Sequence, residues 1–224
     1  MGSQARTSVS LVALFDLDGT LTFHDTLMPF LIGHATRHPA RLAGLWRLAP
    51  ALADYARARD RGLLKSRVIR LAMGGAPRRE IEAYAADYVR RLAPDGVFRA
   101  DALATVEAHR AAGDHLVLLS ASPDLYVPRI GEHLRFERTL CTELVWDGDR
   151  LDGALKTPNR RGEEKVRCLE WLRTQYPDAP IVAYGNSDSD LPHMRAADRA
   201  VLVNANARAR RLAAGMGIAT ADWR

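Results

Sequence analysis

A chain of 224 residues, 47% of them hydrophobic, can bury a full core and is slightly long for one minimal domain. Its formal net charge of +5 suits an anionic substrate or partner, yet no basic run is interleaved with aromatics as a nucleic-acid groove requires, so no nucleic acid is expected. Membrane-spanning and secreted classes are disfavoured as well: no apolar run approaches ~18 residues, and Met1–Ser10 lacks the regions of a signal peptide.

The two cysteines, Cys141 and Cys168, lie far apart with no CxxC and no histidine cluster, and read as free thiols of a cytoplasmic protein. Lysine is scarce: only Lys65, Lys156 and Lys165 occur, so a lysine in a motif-like context is informative. Nothing in the sequence fixes the oligomeric state.

In chain order, Leu11 to Phe15 is a continuous apolar run of the kind that forms a buried parallel strand, and it ends in Asp16-Leu17-Asp18-Gly19-Thr20. From about Thr26 to Ala93 strand signals vanish. Helices are predicted there, including Ala40 to Ala58 and Pro77 to Leu92, with Leu42, Leu45, Trp46, Ala49, Leu52 and Ala53 at helical spacing. A helix over Ala100 to Ala112 precedes the apolar run Leu116 to Leu119, which ends in Ser120. Thr139 to Leu155 reads as a strand and a turn leading into a hairpin. A helix over Gly162 to Gln175 then leads to the run Ile181 to Tyr184, ending in Gly185-Asn186-Ser187-Asp188-Ser189-Asp190. A helix over Leu191 to Ala196 leads to Ala200 to Val203. This alternation predicts an α/β fold: a doubly wound, parallel-sheet, Rossmann-like core with an inserted helical cap domain. The expected division is residues 1–25 and 96–224 for the core and 26–95 for the cap.

In open α/β sheets ligands bind outside the carboxyl ends of the strands, so Asp16, Asp18, Ser120, Asn186 and Asp190 are expected to converge. Ser120 or Ser122 taken alone reads equally well as a helix cap. Asp16 and Asp18 do not, because two carboxylates on alternate residues repel unless a cation lies between them. Such a set suits phosphoryl transfer: one carboxylate attacks phosphorus, a second carboxyl moves the protons, and a divalent metal, a lysine and turn amides neutralise the phosphate.

Asp16-Leu17-Asp18-Gly19-Thr20-Leu21 resembles the first motif of the haloacid dehalogenase superfamily of phosphatases. Ser120 after its strand resembles the second motif, Lys165 in Gly162-Glu163-Glu164-Lys165 the third, and Gly185 to Pro192 the fourth. Order and spacing agree over nearly the whole chain, and the insertion after the first motif resembles the phosphoserine phosphatase-like branch. The resemblance implies a Mg2+-dependent phosphomonoesterase with Asp16 as nucleophile and metal ligand. Asp18 would be general acid/base, its carbonyl a further metal ligand. Gly19, Thr20, Ser120, Ala121 and Lys165 would hold the phosphoryl group, while Asn186 and Asp190 complete the metal site. The family usually has Asp where this chain has Asn186, which lowers the site's negative charge and implies weaker magnesium binding. Asp188 offers a substitute ligand. Two alternatives remain: a metal-independent haloacid dehalogenase, which Asp18 argues against, and a catalytically weak domain that binds phosphorylated ligands.

For the substrate, Asp25 and Arg67 resemble the amine- and carboxylate-binding residues of phosphoserine phosphatases, although the region Arg57 to Arg61 is more polar than phosphoserine specificity requires. The segment with Leu45, Trp46, Leu48 and Leu52 beside Arg41, Arg47 and Arg57 reads as an amphipathic helix packed on its own cap, or as a face for anionic lipid. The expected substrate is a small or lipid-linked phosphorylated metabolite, with at most peripheral membrane contact.

Overall fold

The computed structural model describes residues 10–42 and 48–224. Strand β1 (Val12–Phe15) lies at the centre of a parallel six-stranded sheet with β2 (His115–Pro123) and β3 (Arg138–Thr142) on one side. On the other side lie β6 (Ile181–Gly185), β7 (Arg199–Val203) and β8 (Ala219–Ala221), giving the order β3-β2-β1-β6-β7-β8. The chain runs outward from β1 twice, in opposite directions, so the strand order reverses at β1 and leaves a crevice at the carboxyl ends of β1 and β6.

The period of two along each strand sends alternate residues to opposite faces. Ala13 and Phe15 join Leu116, Leu118, Val182 and Tyr184 on one face, where α6 (Ala100–Ala112) and α7 (Val127–His133) cover them. Val12 and Leu14 join Val117, Leu119 and Ile181 on the other, against Cys168, Leu169 and Leu172 of α8 (Glu163–Gln175). Further along that face, α9 (Leu191–Ala196) and α10 (Ala207–Gly215) pack on Ala183 and Leu202. Both cysteines are buried free thiols.

Between β1 and β2 the chain forms α1 (Leu27–Thr36), α2 (Pro39–Leu42), α3 (Leu48–Ala58), α4 (Arg61–Met73) and α5 (Arg78–Leu92). Within the helix expected over Ala40 to Ala58, the described residues belong to α2 and α3, while residues 43–47, Leu45, Trp46 and Arg47 among them, fall outside the described residues. Phe30, Ile69, Met73, Ile81 and Tyr84 of these helices share one continuous apolar cluster with the α6–α7 face of the sheet. A hairpin of β4 (Leu144–Asp147) and β5 (Arg150–Leu155) seals them from the side. The Leu151 amide donates to the Ala76 carbonyl at 3.1 Å, the Gly75 amide donates to that of Leu151 at 2.8 Å, and the Arg78 guanidinium lies 3.9 Å from the Trp146 ring centre. The stretch 139–155 thus yields the expected hairpin, but preceded by a third parallel strand. Among the described residues no helix is long and apolar enough to cross a membrane.

Candidate active site

Asp16 follows β1 directly, at the point where the strand order reverses. Its Oδ2 accepts from the Thr20 hydroxyl at 2.9 Å, and its Oδ1 accepts from Lys165 Nζ at 2.7 Å. Lys165 stands in the first turn of α8 and is 2% exposed. The same Nζ donates to Asp190 Oδ1 at 2.7 Å, so one ammonium bridges two carboxylates brought in by different strands. Asp190 Oδ2 in turn accepts from the Ser187 hydroxyl (2.7 Å), the Ser187 amide (3.0 Å) and the Asn186 amide (3.3 Å), closing the turn after β6.

Burial sets the electrostatics of this triad. It opposes the charge on Lys165, but Asp16 and Asp190 outweigh it and hold the lysine above its usual range. Burial likewise opposes the Asp190 charge, and Lys165, His193 and the Ser187 hydroxyl outweigh it, leaving Asp190 well below the carboxylate range. Asp16 is the unrelieved member. Burial pushes it up to about 7, Lys165 counters only in part, and the Asp190 and Asp18 charges add to the rise.

Asp18 is held apart from the triad. A wide turn, closed by the Thr22 amide on the Leu17 carbonyl (3.1 Å), carries it away from Asp16. Its Oδ1 accepts from both the amide (2.7 Å) and the hydroxyl (2.6 Å) of Thr26, and its Oδ2 accepts from the Ser122 hydroxyl at 2.6 Å. Tyr126 and Tyr88 fix Thr26 in turn, through its hydroxyl at 2.9 Å and its carbonyl at 2.8 Å. Burial raises the Asp18 pKa despite these donors, the direction that favours the protonated carboxyl a general acid needs. The turn needs Gly19 twice over: its φ is +83°, and a Cβ there would collide with the Asn186 amide. Gly185 allows a second close approach, since a Cβ on it would stand 2.7 Å from Asp190 Cβ.

These groups line the floor of a cavity of about 360 Å³. Its roof comes from the inserted helices and the loop before α8. Arg61, Leu64, Lys65 and Val68 of α4 face it together, as residues spaced i, i+3, i+4 and i+7 must on one helix. Lys65 Nζ donates to the Ala121 carbonyl at 2.6 Å and to Asn159 Oδ1 at 2.5 Å, and Arg161 lies beside it on the cavity wall. Burial, with some help from the Arg161 and Lys165 charges, lowers Lys65 to about 8.

Residues 13–195 match the family of haloacid dehalogenase-like hydrolases. The chain belongs to that family. It is 36% identical to Protein CicA of Caulobacter vibrioides over 190 residues, 84% of this chain and 83% of that one. It also shares its fold with a Bordetella pertussis Tohama I protein of unknown function (TM-score 0.81, 22% identity, 96% and 99% of the two chains covered). A phosphoserine phosphatase solved as a phospho-aspartyl intermediate analogue has the same fold (TM-score 0.64, 17% identity, 91% of each chain covered). The parallel sheet with flanking helices is the Rossmann-like core of these hydrolases, with phosphoserine phosphatases among its structural neighbours.

The expected site residues fall into three groups. Asp16, Asp18, Lys165, Asn186 and Asp190 all face the cavity, as do Asp25 and Ala121. Thr20 and Ser120 are fully buried beneath the floor. Thr20 braces Asp16, and Ser120 Oγ accepts from the Ser122 amide at 3.0 Å, so the end of β2 shows Ala121 and Ser122 to the cavity. Arg67 is not brought to the site. Two residues from Lys65, it points across the helix and pairs with Asp54 of α3 at 2.5 Å. Asp188 does not line the cavity and has Arg208 at 4.0 Å as its partner. Thr26, Ser122, Lys65, Asn159 and Arg161 also stand at the site, and no motif in the sequence marks their roles.

The floor fits a magnesium ion. Its donors are hard oxygens, the carboxylates of Asp16 and Asp190, the amide of Asn186 and the backbone of Asp18. Asp16 and Asp190 share the single ammonium of Lys165, and the third carboxyl, Asp18, has only Thr26 and Ser122 as donors.

Proposed function

We propose that this hydrolase cleaves phosphomonoesters through an aspartyl-phosphate formed on Asp16. The observation that supports it most is the division of labour between two carboxyls. Asp16 is aimed by Thr20 and Lys165, whereas Asp18 is isolated from Lys165 and raised by burial. In the first step an Asp16 oxygen attacks phosphorus as the ester oxygen leaves, and Asp18 donates its proton to that oxygen. In the second, Asp18 takes a proton from water as the water oxygen attacks phosphorus, releasing inorganic phosphate and regenerating the Asp16 carboxylate. Lys165 and the strand end Ser120–Ser122, with the Gly19–Thr20 turn, hold the phosphoryl oxygens. Mg2+, held by Asp16, Asp18 and Asn186 with Asp190 supporting its waters, would let the anionic nucleophile meet the anionic phosphate.

Residues 26–95 serve as a cap over a core of residues 1–25 and 96–224. The roof cations Lys65, Arg61 and Arg161 favour a substrate whose leaving portion carries a second anionic group, on a small metabolite or a lipid headgroup, in the cytoplasm. The cavity is of small-molecule size. An aryl phosphate assayed with magnesium and with excess chelator tests the chemistry. Metal-dependent phosphate release is expected; halide release from a haloacid without metal, or tight phosphate binding with no turnover, contradicts it.

A further inference from the structure

Away from the cavity, His34 near the end of α1, His38 just beyond it and Glu80 in the first turn of α5 come together. His34 Nε2 and His38 Nε2 each lie 3.1 Å from Glu80 Oε1, and the three ligand atoms lie within 4.8 Å of one another. The two imidazole rings are 4.6 Å apart, centre to centre.

The proton count at His34 does not close with these groups alone. Its Nδ1 lies 3.2 Å from the Ala72 carbonyl, which can only accept, so Nδ1 carries the proton. In the neutral ring Nε2 is then a bare lone pair, and it faces a carboxylate oxygen. A second proton would relieve that contact, but the side chain is 1% exposed and a second imidazole stands against it.

A divalent cation resolves the contact in another way. A histidine that ligates a metal through one nitrogen commonly donates its other N–H to a backbone carbonyl, the arrangement His34 shows with Ala72. Tetrahedral bonds of about 2.0–2.1 Å put ligand atoms about 3.4 Å apart, close to both spacings at Glu80. Two imidazoles and one carboxylate favour zinc over magnesium. His38 and Glu80 are each 38% exposed, so the site opens to water at its fourth position.

We propose that His34, His38 and Glu80 form a Zn2+ site that ties α1 to α5. The site is separate from the catalytic cavity and does not depend on the proposed phosphatase reading. It anchors the helix whose preceding residue, Thr26, positions Asp18.

The test is titration of tag-free, chelator-stripped protein with Zn2+ by calorimetry, and with Co2+ by visible absorption. The wild type and Asp16→Asn are expected to bind one equivalent of Zn2+ equally well at this site, with the intense visible bands of tetrahedral Co2+. His38→Ala and Glu80→Gln change partly exposed side chains. Each is expected to weaken Zn2+ binding by about tenfold or more and to lose the Co2+ bands, with the fold retained by circular dichroism. Absence of zinc binding in the wild type overturns the proposal, as does unchanged binding in either variant.

Discussion

The floor and the roof of the cavity carry opposite charge and come from different kinds of structure. The floor is acidic and rigid: Asp16, Asp18 and Asp190 stand at strand ends or in tight turns, each with both carboxylate oxygens hydrogen-bonded. The roof is basic, with Lys65 and Arg61 on one stripe of α4 and Arg161 on a loop. A dianionic phosphate is attracted by the roof and repelled by the floor, unless a cation joins it there. The contrast indicates where each half of the proposed chemistry resides: bond making at the floor, and recognition of the leaving portion at the roof.

The floor should respond to substitution far more strongly than the roof. Asp16→Asn removes the proposed nucleophile and is expected to lower turnover by several orders of magnitude on every substrate. Activity within about tenfold of wild type would place the nucleophile elsewhere. Lys65→Met should act selectively. For phosphomonoesters with an anionic leaving portion the KM is expected to rise about 10- to 100-fold, the worth of one charge-assisted hydrogen bond. For a simple aryl phosphate kcat and KM should scarcely change. Equal losses on both substrates would show that the roof serves the phosphate itself. Asn186→Asp adds a floor charge, and is expected to lower the magnesium concentration giving half-maximal rate by about tenfold, with little change at saturating metal. An unchanged metal titration would remove Asn186 from the ion's contacts.

The same two regions differ in how far the sequence revealed them. Floor residues lie in short contiguous motifs directly after continuous apolar runs, and β1, β2, β6 and β7 are legible for that reason. Roof residues depend on helical register. Lys65 and Arg67 stand only two residues apart, yet they leave α4 on different faces, and the register decides which of them meets the cavity. Ser122 is hidden differently, as a plausible cap, and Thr26 carries no motif at all, yet both hydroxyls are committed to Asp18. The elements the sequence concealed lack an apolar signal: β8 is Ala-Thr-Ala at the sheet edge, and α10 is mostly Ala and Arg.

The proposed intermediate is most directly tested with Asp18→Asn and an aryl phosphate whose leaving group needs no proton. Formation of the aspartyl-phosphate should then proceed, while its hydrolysis, deprived of the base, slows by about 10²–10⁴-fold. Rapid acid quenching followed by peptide mass spectrometry should find a near-stoichiometric phosphoryl group on Asp16, matched by a burst of released phenol. A phenol burst with Asp16 unmodified, or with the phosphoryl group on another residue, would contradict the account.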